Sequence, residues 1–441
     1  MKLAKMSLVA ALALTANMYA IDNVKVNGDV KVYYGTADSD VTNAPDIFSQ
    51  DASYADAALH LGLTADLSEG VSAGISVTAV STLGLENNLV NNTWSNSHGI
   101  SGSTGASFPN QGAGGLQLDD AMWIDEAWIA GTAFDTTAKL GRQALDTPLA
   151  FTETWGIDTN TFEAAVLINQ SIPDTTIVAT YIGKSNGSAD DESPLNLNAV
   201  PSSTPALGGT SAAAGYVALD GKFNTFGTNG VYAAGIINNS FKPLTVQAWY
   251  YDLQSLAKAY WLQADIKCSL VKGLLIGAQY ANKELDSQSS DDTSMYSVML
   301  GYEMKDVVTV KAAYSSVDDD GVLDMTNTAT GGQSKMYTEM WWSYGFVSAV
   351  GADSYSVTAE GTVGPEVDLL LGYYYADIDA KTGFGTQAKQ DISEIAFTAT
   401  KSFGPLDTTL ALIYDDVDLD DNTVDEDSKT TSLQVYLTYN F

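Results

Sequence analysis

Acidic side chains dominate the residues that could carry chemistry in this chain of 441 residues. It holds 54 Asp and Glu against 20 Lys and Arg, a formal net charge of −34 at pH 7. A surface this acidic repels phosphate, which argues against nucleic acid as a partner. The two histidines, His60 and His98, have no neighbouring constellation of nucleophiles or acids in the sequence. We therefore predict that the protein is not an enzyme.

The charged residues with the most specific placement fall in two segments, 83–121 and 142–161, and at the strand starts beside them. If strands enclose a water-filled space, charges on such segments decide which ions pass its narrowest part. The candidates for this constriction are Asp119, Asp120, Glu126, Arg142, Asp146, Glu153, Asp158 and Glu163.

Strand parity predicts where some of these side chains point. The apolar residues that alternate over 164–168 are expected to face lipid, so Glu163 should face the interior. There it would line the pore or form an ion pair with Lys139 or Arg142. Arg142 has the parity of a lipid-facing residue, and either the strand ends at Gly141 or a bulge turns Arg142 inward.

The sequence leaves two further points open. Both faces are apolar around Asp125 and Glu126, so parity does not show which of the two points inward. The segment Tyr337–Gly345 would make an odd number of strands if it were one, so we assign it to a loop. Its Trp341 and Trp342 would pack within that loop or narrow the pore.

Acidic runs also mark several segments that we predict to be outer loops. Asp416, Asp418 and Asp420 have the alternate spacing of a calcium loop, but Asp421 stands where such a loop needs glycine. An EF-hand is therefore excluded, and solvated loops that keep the surface charged are the favoured interpretation. No cofactor is required, although a divalent cation such as Ca²⁺ could bind these loops.

The elements that position these residues are β-strands. The last nine residues alternate apolar and polar side chains and end on Phe441. This pattern is typical of a strand with one apolar and one polar face. A soluble sheet rarely leaves such a strand uncovered, whereas a closed transmembrane barrel pairs its last strand with its first. A soluble β-sandwich is the alternative, and it would not need the other features described next.

The N-terminus has the pattern of a secretory leader. Lys2 and Lys5 precede a short apolar core, 8–14, that is too short to cross a bilayer as a helix. We predict a cleaved signal peptide over 1–20 and a single barrel domain over 21–441. A buried N-terminal helix is the alternative.

Alternation along the chain predicts eighteen strands. Tight turns such as 68–70 and 404–405 alternate with long polar connections such as 83–121 and 316–352. Short periplasmic turns and long extracellular loops are typical of bacterial outer-membrane barrels. The predicted fold is thus all-β, an 18-stranded antiparallel transmembrane β-barrel in the outer membrane of a Gram-negative bacterium.

Short patches of sequence carry a family resemblance. Leu140–Pro148 with Thr161–Glu163, and Trp249–Asp252 with Ala259–Tyr260, resemble OprD-like porins. The leader and the first strand are more similar to the Campylobacter-type major outer-membrane porins. The resemblance implies eighteen strands, loops folded into the lumen and a homotrimer. The sequence differs from the OprD-like porins that select anions in one respect. Those porins carry a ladder of arginines along the lumen, whereas Arg142 is the only arginine here.

We therefore predict a porin that passes ions and small hydrophilic solutes by passive diffusion and prefers cations. The alternatives are a substrate-specific OprD-like channel, and a surface adhesin or envelope-anchoring barrel. Expected partners are outer-membrane lipid and lipopolysaccharide, and the barrel-assembly machinery through the C-terminal strand.

Overall fold

The computed structural model describes most of the barrel and part of its loops. The described residues are 21–41, 44–81, 83–84, 89–90, 121–187, 221–227, 229–286, 292–321, 323–364, 366–379, 389–421, 424–425 and 427–441. The predicted signal peptide over 1–20 and the candidates Asp119 and Asp120 lie outside them.

Eighteen strands form one closed antiparallel barrel, and two strands of two residues extend its rim. In chain order the strands are β1 Asp22–Ser39, β2 Ser53–Ser68, β3 Val71–Ser81, β4 Ala121–Ala133, β5 Thr136–Gln143, β6 Phe162–Asn169, β7 Thr175–Ser185, β8 Asn224–Thr225, β9 Val231–Asn238, β10 Leu244–Leu253, β11 Ala257–Lys267, β12 Leu274–Leu285, β13 Thr293–Met304, β14 Val308–Val317, β15 Ala352–Val363, β16 Val367–Ile378, β17 Lys389–Phe403, β18 Leu406–Asp421, β19 Val424–Asp425 and β20 Ser428–Asn440. The short ones are β8 and β19. A 3-10 turn spans Phe346–Ser348, and no helix among the described residues is long and apolar enough to cross a membrane.

The barrel closes between its first and last strands. Val30 lies opposite Tyr439, and Tyr34 lies opposite Val435. Beyond the ladder, the backbones of Gly28 and Phe441 exchange two hydrogen bonds of 3.0 and 2.9 Å. A side chain at Gly28 would lie 2.3 Å from the carbonyl oxygen of His60, so only glycine fits this seam.

Side chains on each strand alternate between the outer wall and the interior. The outer face carries exposed aliphatic residues, such as Leu262 and Leu300, and tyrosines. Ring pairs between neighbouring strands, Tyr181 with Tyr232 and Tyr250 with its neighbour Tyr260, contribute to a belt of tyrosines. An apolar band bounded by aromatic residues is what a bilayer interface selects.

The predicted architecture is confirmed. All eighteen predicted strands are present, and Tyr337–Gly345 is a loop. The short turns lie at one end of the barrel, its short-turn end, and the long connections lie at the other, its long-loop end, together with one short connection at 254–256. One boundary prediction was wrong, because β18 runs to Asp421 through a segment that we had assigned to a loop. Asp416, Asp418 and Asp420 are therefore strand residues, and they do not form a calcium loop.

Candidate functional site: the lumen

Two long connections fold into the lumen and pack against its wall. They are the inner loops 144–161 and 318–351. Leu149 of the first loop and Met325 of the second join one apolar cluster with inward residues of β6 to β14, Trp261 among them. Ile157 and Trp342 join a second cluster with inward residues of β1 to β4 and β18. The interior of the long-loop half is thus an apolar core.

Glu153 ties the two inner loops together. Its carboxylate is buried and accepts hydrogen bonds from the indole Nε1 of Trp155 at 2.9 Å, Asn327 Nδ2 at 3.0 Å and the backbone N–H of Gln333 at 3.0 Å. The hydroxyl of Thr330 donates a further hydrogen bond at 2.5 Å. Burial raises the pKa of Glu153 above its ordinary value, and these donors oppose the shift. The predicted constriction residue is therefore a structural acceptor inside the loop core.

Three further carboxyl groups hold loop 318–351 in place. Glu339 accepts hydrogen bonds from the backbone N–H of Ser334 at 3.0 Å and of Gly345 at 3.2 Å, and burial raises its pKa to about 8. Glu394 on β17 accepts the backbone N–H groups of residues 341–343. Asp415 on β18, opposite Glu394, accepts the Ser343 hydroxyl at 2.9 Å.

Trp341 and Trp342 have the packing role that the sequence left open. Trp342 is buried, and its ring centroid lies 6.2 Å from that of Trp155 in an edge contact. Trp341 is stacked on Trp342 with centroids 6.3 Å apart. Both indoles therefore belong to the loop core inside the barrel.

The other half of the lumen, toward the short-turn end, is lined by charged residues. Three of its basic residues are engaged: His60 lies 2.8 Å from Asp29, Lys267 lies 2.7 Å from Glu303, and Lys311 lies 3.3 Å from Glu360. The first and third pairs join adjacent strands, and the second spans β12 from β11 to β13. In each pair one carboxylate faces one basic side chain.

Several carboxylates of the same surface accept hydrogen bonds from neutral groups. Ser76 Oγ lies 3.0 Å from Asp125, Tyr337 Oη lies 2.5 Å from Asp265, and Ser402 Oγ lies 2.5 Å from Asp407. A carboxylate with a hydroxyl partner keeps its charge uncompensated. These carboxylates therefore contribute negative charge to the wall of the lumen.

A bulge settles the orientation of Asp125 and Glu126. Val77 pairs with Ile124 and Ser76 with Glu126, so Asp125 is an extra residue in β4. Asp125 and Glu126 both point inward as a result. Glu126 accepts the Nε1–H of Trp128 at 2.9 Å, and Lys139 Nζ lies 4.3 Å from the centroid of that ring. Of the predicted candidates, Glu126 is the one that clearly faces the charged lumen.

Asp146 and Asp158 lie in loop 144–161, in different surroundings. Asp146 is exposed and pairs with Lys335 of the other inner loop at 2.8 Å. Asp158 is buried, and its Oδ2 has no hydrogen-bond partner among the described residues. Burial raises the pKa of Asp158 well above its ordinary value.

The prediction that Glu163 faces the lumen was wrong. Phe162 and Ala164 belong to the interior cluster, whereas Leu167, on the same face as Glu163, is 50% exposed on the outer wall. Arg142 lies opposite Glu163 and also faces outward, without a bulge. Because the inner loops are apolar, the wall residues that pack on them are apolar as well, and apolar parity does not distinguish the interior from the lipid here.

The metal candidates are placed on the rim. Asp416 and Asp418 point outward on β18, and Asp416 lies 3.8 Å from Lys429. The side chain of Asp420 is outside the described part of the chain.

Sequence reasoning predicted the long connection 316–352 but described it as polar and did not identify it as a filler of the interior. A signal for this burial was present in its apolar and aromatic residues, which a solvated loop does not need: Met336, Met340, Trp341, Trp342, Tyr344, Phe346 and Val347.

Comparison with known proteins supports the architecture. No protein-family model and no curated protein sequence matches this chain. The structure of Acinetobacter baumannii OccAB4 is similar, with a TM-score of 0.66 and 12% identity over 96% of this chain and 99% of that chain. Pseudomonas aeruginosa OccK8 (OprE) has a TM-score of 0.66 and 16% identity over 96% and 100%. Pseudomonas aeruginosa OpdK, solved with vanillate, has a TM-score of 0.63 and 14% identity over 95% and 99%.

These likenesses cover nearly the whole of each chain at low identity. The closed barrel, the strand number and the loops inside the lumen agree with the resemblance found in the sequence. The chain has the fold of the OprD-like outer-membrane channels.

Proposed function

We propose that the protein is an outer-membrane channel that passes ions and small hydrophilic solutes and prefers cations. One observation carries the preference: Lys267 and Lys311 are paired with carboxylates, while the lumen carboxylates of Asp265 and Asp407 accept hydrogen bonds from neutral hydroxyl groups. Uncompensated carboxylates raise the local concentration of cations and repel anions, and salt screens the effect.

Reconstitution in a planar bilayer tests this proposal. Under a KCl gradient we expect steady channels and a reversal potential on the cation-selective side, which shrinks as the ionic strength rises. An anion-selective reversal potential would overturn the cation preference. A folded barrel without conductance would replace the channel by the adhesin or anchoring role.

The packing of two loops inside the lumen also favours a second candidate, a solute-selective channel. A narrow passage lined by fixed charges discriminates among solutes more than a wide one does. This candidate requires that a preferred solute reduce the ion current at low concentration while its analogues do not. Equal currents with all solutes would leave general diffusion.

We further propose that the chain acts as a homotrimer and that its last strand is recognised by the barrel-assembly machinery. A closing strand with an aromatic end supports the second point. Cross-linking in native membranes tests whether the chain forms a homotrimer.

A further inference from the structure

A cluster of basic side chains on the outer wall contains the only arginine of the sequence. Arg142 on β5 points outward together with Leu140, which is 52% exposed. Its neighbours across the sheet are Glu163 on β6 and then Lys184 on β7, which pairs with Glu163. Two cations thus share one carboxylate on a surface that faces the bilayer.

The guanidinium of Arg142 is held rigidly. Nε donates to Glu163 Oε1 at 3.0 Å, and Nη1 donates to the carbonyl oxygen of Ile124 at 2.8 Å. The ring of Phe223 covers its plane, with the centroid 4.1 Å from Cζ. Lys184 Nζ lies 3.6 Å from Glu163 Oε2. Each carboxylate oxygen of Glu163 therefore faces one cation, and a net positive charge remains.

These groups stand at the edge of a depression in the outer wall. It has a volume of about 1000 Å³ and is open to the outside. Its floor contains small residues, Ala127, Gly141, Ala165 and Gly183, and its margin includes Tyr181. Where neighbouring strands present leucine or isoleucine to the bilayer, this part of the wall leaves room for a hydrocarbon chain.

Its height on the barrel points to the lipid headgroups. Arg142 and Lys184 are near the strand ends opposite the short turns. Tyr181, two residues before Gly183, has its ring centroid 4.9 Å from that of Tyr232 in a tilted contact, within the aromatic belt that marks a bilayer interface. A cation just beyond that belt meets phosphate groups of the outer leaflet.

Other outward rim positions have the opposite charge. Asp353, Asp377 and Asp391 lie side by side on β15, β16 and β17. Tyr314 Oη donates to Asp353 and Tyr375 Oη donates to Asp391, both at 2.8 Å. An anionic headgroup is repelled there and attracted at Arg142, so charge assigns the lipid to one side of the barrel.

We propose that Arg142 and Lys184 bind the phosphate of a phosphorylated outer-leaflet lipid, with an acyl chain of that lipid lying over the small-residue floor. A guanidinium and an ammonium at fixed separation provide charge-assisted hydrogen bonds to phosphate oxygens. The proposal rests on the outer-membrane placement proposed above. Lipid binding and conductance are measured in separate experiments, so a failure of the lipid proposal can be distinguished from a failure of the channel proposal.

The test uses the folded full-length protein in detergent and native mass spectrometry. Bisphosphorylated lipid A and its dephosphorylated form are titrated against the wild type and three variants, Lys184→Gln, Arg142→Gln and Lys258→Gln. Lys258 is the matched control, because it also faces outward near the long-loop end, is 41% exposed and lies 3.4 Å from Asp286. Lys184 is 48% exposed and makes a single ion pair, so Lys184→Gln keeps the test valid if Arg142→Gln fails to fold.

We expect the phosphorylated lipid to bind the wild type at least tenfold more tightly than the dephosphorylated form. Lys184→Gln should weaken its binding about tenfold, roughly 1.4 kcal/mol, and Lys258→Gln should leave it unchanged. Equal binding of the two lipids would overturn the proposal, as would an equal loss in Lys184→Gln and Lys258→Gln. Displacement of the lipid by an equal concentration of inorganic phosphate would show a free-phosphate site instead. A changed oligomeric state of Lys184→Gln with unchanged lipid binding would show a contact between copies of the chain.

Discussion

At the scale of single residues, two groups of inward carboxyl groups have different roles. Glu153, Glu339 and Glu394 accept hydrogen bonds from loop backbone and are parts of the interior. Asp265 and Asp407 accept hydroxyl groups and are half-buried on the wall of the lumen. The first group determines where the loops lie, and the second determines the charge that a passing ion meets.

Asp265→Asn should lower cation selectivity. The change removes a lumen charge but keeps an oxygen that accepts the Tyr337 hydroxyl, so the loop should stay in place. We expect the reversal potential in a KCl gradient to move toward zero. Asp353→Asn, on the outer wall, is the control. An equal shift in both variants would assign selectivity to the total charge of the protein.

Glu153→Ala should loosen the two inner loops. Four donors lose their acceptor, and each hydrogen bond to a charged group contributes roughly 1.5–3 kcal/mol. We expect faster proteolytic cleavage within loop 318–351 and a larger conductance. Asp146→Ala removes an exposed ion pair between the same loops and should have a small effect. Unchanged cleavage in Glu153→Ala would contradict the structural role.

Orientation at single positions is where sequence reasoning was weakest. Glu163 was placed in the lumen because the residues after it alternate as lipid-facing residues do, yet those residues pack on the inner loops. Alternation along a strand separates its two faces, but it does not show which face contacts water. The Asp125 bulge depends on the pairing of β3 with β4, which no residue of the sequence specifies alone.

At the scale of elements, the packing of the inner loops 144–161 and 318–351 depends on pH. Burial raises the pKa of Glu339 from 4.5 to about 8, and burial raises the pKa of Glu153 in the same direction. Below pH 4.5 these acids are protonated whether the loops are packed or released. As the pH rises, the released state ionises first, so the packed state loses stability until the pH exceeds about 8.

We therefore expect the inner loops to pack most firmly in acid. Tryptophan fluorescence and proteolysis of loop 318–351 at pH 5 and pH 9 measure the change, with more exposure at pH 9. Glu339→Gln cannot ionise and should reduce the difference. Glu360→Gln, in a wall ion pair with Lys311, is the control. Greater exposure at pH 5 than at pH 9 would reverse the sign and contradict the assignment.

Elements differ in how far the sequence predicts them. Strands that alternate, such as β13 and β14, are readable because one face meets lipid whatever fills the interior. The inner loops are not readable in this way, since they have no period and their contacts come from distant strands. Loop 318–351 could be recognised as buried from its aromatic content, but its attachment to Glu394 and Asp415 follows only from the closed barrel.

At the scale of the whole molecule, the strand number and the closure were predictable. Eighteen strands follow from the alternation, and an even number brings both termini to the same end of the barrel. The seam itself depends on glycine at one position. Gly28 lies against the His60 carbonyl and the Phe441 ring. No local sequence pattern in β1 predicts this contact.

Gly28→Ala should impair closure of the barrel. The added carbon would lie 2.3 Å from a backbone oxygen that cannot move without breaking the ladder. We expect a lower yield of the heat-modifiable folded form on electrophoresis. Gly131→Ala is the matched control, because the nearest atom to its added carbon is 4.0 Å away. Equal yields of the two variants would show that the seam tolerates a side chain.

The seam also has a consequence for folding. It joins distant parts of the chain: the backbone N–H of Lys429 donates to the Asp40 carboxylate across 389 positions. A barrel in which β1 and β20 have not yet met has two sheet edges with unpaired amides, and such edges pair readily with other copies of the same strands. Contacts this far apart in the sequence also form slowly. Closure of the seam is therefore the step at which the folding chain loses its exposure to aggregation.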